Sequence, residues 1–260
     1  MNNFMTFLGK EFMEAWRVHR ILVISLVFVF FALTSPLMAR YIIEIFNALI
    51  PAEDAAAIGL AMMPPPHWSQ SYASFFGNLN QIGMIAMILM MMGVVAAEKR
   101  DETAALMMVK GLSHSAFILT KFIAMSLISF VVLLVSLLLQ HLLTLFLFGA
   151  GAEIGNLIVS FILYWLFVVM MISLTILAST LAKNLATSAV FGFLGFMTLS
   201  IPASLPRIRE AFPYTISFRA QEVSSSGYFS DMLWVNVLTA IATTALFLGI
   251  SIHILRKKEI

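Results

Sequence analysis

Apolar residues in this chain do not alternate with polar ones; they come in long runs divided by short polar stretches. Six runs, roughly 20–40, 76–97, 116–148, 155–182, 185–205 and 232–255, reach the ~20 residues a helix needs to cross a hydrocarbon core. The third and fourth are long enough to tilt or to extend beyond it. A spanning barrel would show alternating segments of about ten residues, and the sequence has none. The pattern predicts an all-α polytopic membrane protein, a single transmembrane domain over 1–260. Before the first run, Phe4, Leu8, Phe12 and Trp16 recur every four residues, while Lys10, Glu14 and Arg17 fall on another face. This spacing predicts an amphipathic helix over 2–18 lying in the membrane interface. It acts as an anchor, alone or as part of a docking surface.

Composition agrees. The chain is 61% hydrophobic and only 11% charged, whereas a soluble domain carries about a quarter charged residues. With no cysteine, disulfides and thiolate metal sites are excluded. The first apolar run is too long for a signal core, and Thr34-Ser35-Pro36-Leu37-Met38-Ala39-Arg40 offers no convincing cleavage site. Six crossings put both termini on one side. On that side fall Lys10, Arg17, Arg20, Lys99, Arg100, Lys110, Lys121, Lys183, Arg256, Lys257 and Lys258, against Arg40, Arg207, Arg209 and Arg219 on the other. The positive-inside rule then makes both termini cytoplasmic. Two longer outer connections, about 41–75 and 206–231, contain Pro64-Pro65-Pro66-His67-Trp68 and Pro206, Pro213 and Ser224-Ser225-Ser226-Gly227.

The cytoplasmic connection over 98–115 stands out. Glu98, Lys99, Arg100, Asp101 and Glu102 are consecutive charges, followed by the apolar patch Leu106, Met107, Met108 and Val109. Thr103 suits the start of a short helix, Gly111 its stop, and Ser113 the cap of the next helix. An apolar patch with a charged rim, held outside the membrane, is suited to a protein contact. The six runs, the interfacial helix and this island resemble the permease subunits of type-2 ATP-binding-cassette (ABC) transporters. There the loop after span two reads Glu, a few charges, Gly-Thr, an apolar pair, Pro-x-Ser-Arg, and a Lys opening span three. Glu98, Thr103, Met107-Met108, Ser113-His114 and Lys121 stand at those places, but Glu102 replaces the Gly and Gly111 the Pro. The resemblance implies a coupling helix seated in a separate cytoplasmic ABC ATPase, with Leu106, Met107, Met108 and Val109 as contact surface and Glu98, Arg100 and Asp101 as rim. It further implies short re-entrant helices within 206–231, a second permease copy or a homologous permease as partner, and residence in a prokaryotic plasma membrane.

No phosphate-binding loop occurs, since Gly9-Lys10 is followed by Glu11. The chain is therefore expected not to be an enzyme: ATP and Mg belong to the partner ATPase, and no cofactor is expected here. The histidines show no metal-ligand spacing, and nothing suggests a nucleic-acid partner. Gln140 and His141 lie in the third run, either at a wet outer end or as substrate contacts. Met84, Met87 and Met91 share a face of the second run, as packing, as a yielding wall for apolar cargo, or for a soft metal. Ser188, Gly192 and Gly195 give the fifth run a small-residue face, a possible subunit interface. Membrane lipid surrounds the rest. Apolar span faces favour export of a hydrophobic or amphipathic cargo such as a peptide, lipid or drug. The rival reading is a non-transporting immunity or sensor subunit that binds a peptide. An ion-coupled transporter would need mid-membrane charges and related halves, and the sequence shows neither.

Overall fold

The computed structural model describes residues 2–49, 64–109, 111–203, 205 and 209–257. Lys110, Pro206, Arg207, Lys258 and much of the connection after the first run lie outside the described residues. No strand occurs among those described. The helices are α1 (Asn2–Arg17), α2 (Arg20–Leu49), α3 (Trp68–Asn78), a π-turn (Leu79–Gly83), α4 (Met84–Met91), α5 (Gly93–Arg100), α6 (Thr103–Val109), α7 (His114–Phe148), α8 (Ile154–Leu181), α9 (Leu185–Ala203), a 3-10 turn (Pro213–Thr215), α10 (Ile216–Ser226) and α11 (Leu233–Lys257). Six stretches are long and apolar enough to cross a membrane: α2, Trp68–Arg100, α7, α8, α9 and α11. The protein is an all-α polytopic membrane protein.

α8 is the central helix. It is the most deeply buried of the six and packs against α11, α10, α9 and α7. Its aromatic residues Tyr164 and Phe167 continue through Phe76 of α3 and Tyr214 of the 3-10 turn. α9 and α11 leave most of their apolar surface on the outside. α1 and α6 lie at one end of the bundle, which also gathers most of the charges and is called the charged end below.

Two helices begin or end elsewhere than the hydropathy suggests. α2 continues through Pro36 to Leu49, nine residues past the expected end at 40, with an Arg40–Glu44 pair one turn apart at 3.9 Å. The second spanning stretch begins at Trp68, not near 76. His67 caps it: its Nδ1 accepts from Ser69 N–H while its own N–H donates to Gln70 Oε1. The reason for the early start is an inward polar seam. Gln140 Nε2 donates to Ser71 Oγ (2.9 Å) and Thr144 Oγ1 (3.2 Å), and the Tyr72 hydroxyl meets His141 Nδ1 at 2.6 Å. The two buried polar side chains of α3 that weaken the apolar run, Ser71 and Tyr72, are thus matched by Gln140, Thr144 and His141 of α7.

At the far end lie the 3-10 turn and α10, and α10 packs on α8 and α3. Asn236, fully buried in α11, donates to Glu210 O (2.8 Å) and Phe212 O (3.3 Å), fastening the turn to the bundle.

Candidate functional site

Four elements converge at the charged end. α1 contributes Lys10, Glu11 and Glu14, the first turn of α2 contributes Arg20, α5 contributes Glu98, and the second turn of α7 contributes Lys121. Lys121 is 0% exposed, Glu11 2% and Glu98 6%. Lys121 Nζ lies 2.9 Å from Glu11 Oε1 and 2.7 Å from Glu98 Oε2, the latter an ionic contact without a directed hydrogen bond. It also stands 4.8 Å over the Phe117 ring, a further source of stabilisation for a desolvated cation. Lys10 pairs with Glu98 and with Glu14 (3.0 Å), and Arg20 pairs with Glu14 (3.3 Å). Three acids thus meet three bases, and the node is neutral as a whole.

Burial works against the charge on Lys10, but Glu11, Glu98 and Glu14 outweigh it and raise the ammonium above the ordinary lysine range. Burial likewise pushes Glu14 up, yet Lys121, Lys10 and Arg20 outweigh it and hold that carboxyl below its usual value. Carboxylate oxygens of Glu11, Glu14 and Glu98 lie within 4.8 Å of one another, a spacing that suits a cation. The two lysine ammoniums already fill that role.

This node revises the expected orientation of α1. Phe4, Leu8 and Phe12 are only half-buried and Trp16 is exposed, while Glu11 and Ala15 are the buried positions. The polar side, Lys10 to Glu14, is turned onto the protein, where Glu11 stands beside Lys121. Arg17 is exposed at the end of the helix. The chain then turns at His19, whose φ of 59° is a conformation that costs a non-glycine residue about 1–2 kcal/mol.

The island follows the node directly. α5 ends at Arg100, which pairs with Asp101 at 2.8 Å, both exposed. Thr103 does not cap α6; its hydroxyl turns back to donate to Glu98 O (3.2 Å). Glu102 has φ 56°, so it holds the left-handed conformation that the Gly of the resembling loops would adopt freely. α6 stops in a Schellman arrangement: Leu112 N–H donates to Met107 O and Gly111 N–H to Met108 O, with Gly111 at φ 89°. Ser113 caps α7, its Oγ accepting from Ala116 N–H at 3.2 Å, and His114 is the half-buried first residue.

Four consecutive apolar residues on a helix cannot share one face, since each step turns the helix by about 100°. Leu106 is 61% and Val109 86% exposed, and they form the outward knob. Met107 is buried and Met108 half-buried against the core. The contact surface is therefore smaller than the sequence suggests.

The remaining sequence-derived positions lie inside the chain. Met84, Met87 and Met91 are buried in the core, so they serve as packing and form no exposed wall. Gln140 belongs to the seam described above and is fully buried within the chain. His141 is held by Tyr72. The small face of α9 packs within the same chain: a Cβ on Gly192 would stand 2.8 Å from Ile88 Cγ2, and one on Gly195 2.7 Å from Leu174 Cδ1. Ser188 is buried there too. That face meets α4 and α8 of the same chain.

Comparison with known proteins adds one relative. The chain is 24% identical over 260 residues to the uncharacterized transmembrane protein YxlG of Bacillus subtilis (strain 168), covering 100% of this chain and 99% of the relative. No family model matches. Together with the six apolar helices, this end-to-end likeness marks a multi-pass membrane protein.

Sequence reading missed Glu11 and Arg20 as members of the node. A signal for Glu11 was present: a lysine at 121, one turn inside an apolar run, needs a buried acid, and few acids lie near that end of the chain.

Proposed function

We propose that this chain is the membrane-spanning subunit of an ABC exporter, driven by a separate cytoplasmic ATPase that binds ATP and Mg. The observation that carries the reading is the exposed Leu106–Val109 knob on α6, whose root is tied through Glu98 to both α1 and α7. A knob on a mobile loop transmits nothing; one rooted in buried ion pairs to two helices moves them when it is moved. The charged end faces the cytoplasm, where most of the Lys and Arg residues fall. A plasma-membrane location follows, with a second permease completing the pathway and a hydrophobic or amphipathic molecule as cargo. The exposed apolar faces of α9 and α11 support such a cargo.

The test is purification of the tagged protein in mild detergent, with mass spectrometry of what accompanies it, beside a Leu106→Asp, Val109→Asp variant. Both positions are exposed, so the substitutions spare the fold. An ATPase that accompanies the wild type and is lost from the variant is the expected result. Its absence from both, under conditions that preserve other membrane complexes, would overturn the reading.

A further inference from the structure

The spanning stretch Trp68–Arg100 is interrupted at Met92, between α4 and α5. In a continuous α-helix Ala96 N–H would bond to Met92 O. Here the hydroxyl of Ser179, from α8, stands between them. Ser179 Oγ accepts from Ala96 N–H (2.9 Å) and Val95 N–H (3.0 Å) and donates to Met92 O (2.8 Å). A side chain inserted into the helical ladder is a recognised cause of a kink. Gly93 sits at the same break, and a Cβ there would stand 2.8 Å from Leu185 Cδ2 of α9.

We infer that Ser179 is a positioning residue whose hydroxyl sets the direction of α5, and that its insertion and withdrawal make α5 a two-position lever between the membrane stretch and the α6 knob. The inference rests on the transporter reading above for its purpose, though not for its geometry.

Both positions leave every polar group satisfied. With the hydroxyl inserted, Ser179 serves both amides and the carbonyl. With it withdrawn, Ala96 N–H and Val95 N–H return to Met92 O and Met91 O. Ser179 then donates to the Thr175 carbonyl four residues back, as Thr175 and Thr180 on the same helix donate to Met171 O and Ile176 O, each at 2.8 Å. No buried donor is stranded in either arrangement, and that keeps the free-energy gap between them small.

The arm also has room. A groove of about 830 Å³ runs along it, lined by Gly93, Ala97 and Glu98 together with Arg20 and Leu185. Lys99 reaches from the arm to the Thr180 and Ala182 carbonyls, a flexible tether that follows a swing. At the tip of the arm is Glu98, so the position of the lever decides whether Glu98 stands on Lys10 and Lys121.

The chain has no cysteine, so two introduced thiols alone carry spin labels. Arg100→Cys on the arm and Leu246→Cys on α11 report a lateral swing, measured by pulsed electron resonance on the full chain in lipid nanodiscs. An arm of eight residues is about 12 Å long, and a kink above about 20° displaces its tip by roughly 5 Å. The wild type is expected to show two distances separated by about that amount. Ser179→Ala should retain only the continuous-helix distance, and Ser179→Thr should restore both. Gly93→Ala, which crowds Leu185 without touching the hydroxyl, should shift the population toward the same distance as Ser179→Ala. A single distance common to the wild type and both alanine variants overturns the lever. The measurement needs no ATPase, so the lever and the transporter reading fail separately: loss of the co-purifying ATPase leaves the distances standing, and unchanged distances leave the co-purification standing.

Discussion

Replacing Lys121 by methionine removes one positive charge from a node that holds three of each sign, and leaves its shape nearly intact. Two carboxylates, on Glu11 and Glu98, lose a partner at 2.9 and 2.7 Å. At an effective dielectric of about 20, each contact represents roughly 6 kcal/mol of raw attraction, and desolvation of the buried groups offsets most of it. Removing one partner of a buried pair strands the others, at a net cost of about 3–5 kcal/mol. Lys121→Met is therefore expected to lose that much in equilibrium unfolding, titrated with a denaturing detergent and followed by circular dichroism. Adding Glu98→Gln restores the balance at two acids and two bases. The double variant should recover about 2 kcal/mol of the loss, a coupling within the range for residues in one network. A Lys121→Met protein within 1 kcal/mol of wild type, or a double variant no better than the sum of the singles, would refute the argument that the charges act as one neutral unit.

Three further outcomes follow from local geometry. Glu102→Gly should stabilise the folded chain by about 1 kcal/mol in the same unfolding assay, because φ 56° is free for glycine and strained for glutamate. Gly192→Val or Gly195→Val should cost about 1–3 kcal/mol and lower the melting temperature, since their side chains would enter space held by Ile88 or Leu174. On the acid side, the depressed Glu14 carboxyl contributes stability that is present above its ordinary value of 4.5 and lost as pH falls through its lower folded value; on the alkaline side, the raised Lys10 contributes stability that is full below 10.5 and lost as pH climbs beyond. Melting temperature against pH should therefore fall at both extremes, and Glu14→Gln should flatten the acid limb.

The long apolar runs were legible because burying a span in lipid leaves no choice of residue type along twenty positions. Caps were legible as well, since Gly111 and Ser113 do their work within a few residues of themselves. The start of the second span was not. Ser69, Gln70, Ser71, Tyr72 and Ser74 read as a polar connection, and only contacts to Gln140, His141 and Thr144, about seventy residues away, show that it lies inside. The rotation of α1 was hidden for a similar reason. Glu11 adjoins the Phe4–Leu8–Phe12–Trp16 stripe, and a turn of about 100° separates a solvated acid from one placed on Lys121. Ser179 gave no local sign at all: a serine in an apolar helix commonly bonds its own backbone, and its three bonds here are to atoms more than eighty residues away.

The pairing pattern within the node explains how a lever can end in a buried charge. Glu98 is shared by Lys10 and Lys121, but neither lysine depends on it. Lys121 keeps Glu11 at 2.9 Å, and Lys10 keeps Glu14 at 3.0 Å. When the arm carries Glu98 away, no cation is left without a partner, and the Glu98 carboxylate moves into the groove that lines the arm. Lys121 has no such freedom, because it is fully enclosed and serves both buried acids. The two ends of the same ion pair should then differ sharply on removal. Glu98→Gln leaves both lysines paired and keeps a polar amide beside them, so it is expected to cost about 1–2 kcal/mol, the scale of a hydrogen bond to a charged group, against about 3–5 for Lys121→Met, measured side by side by detergent unfolding. Equal losses would mean that Glu98 is as fixed a member of the node as Lys121, and an arm that cannot release its tip at modest cost cannot serve as a lever.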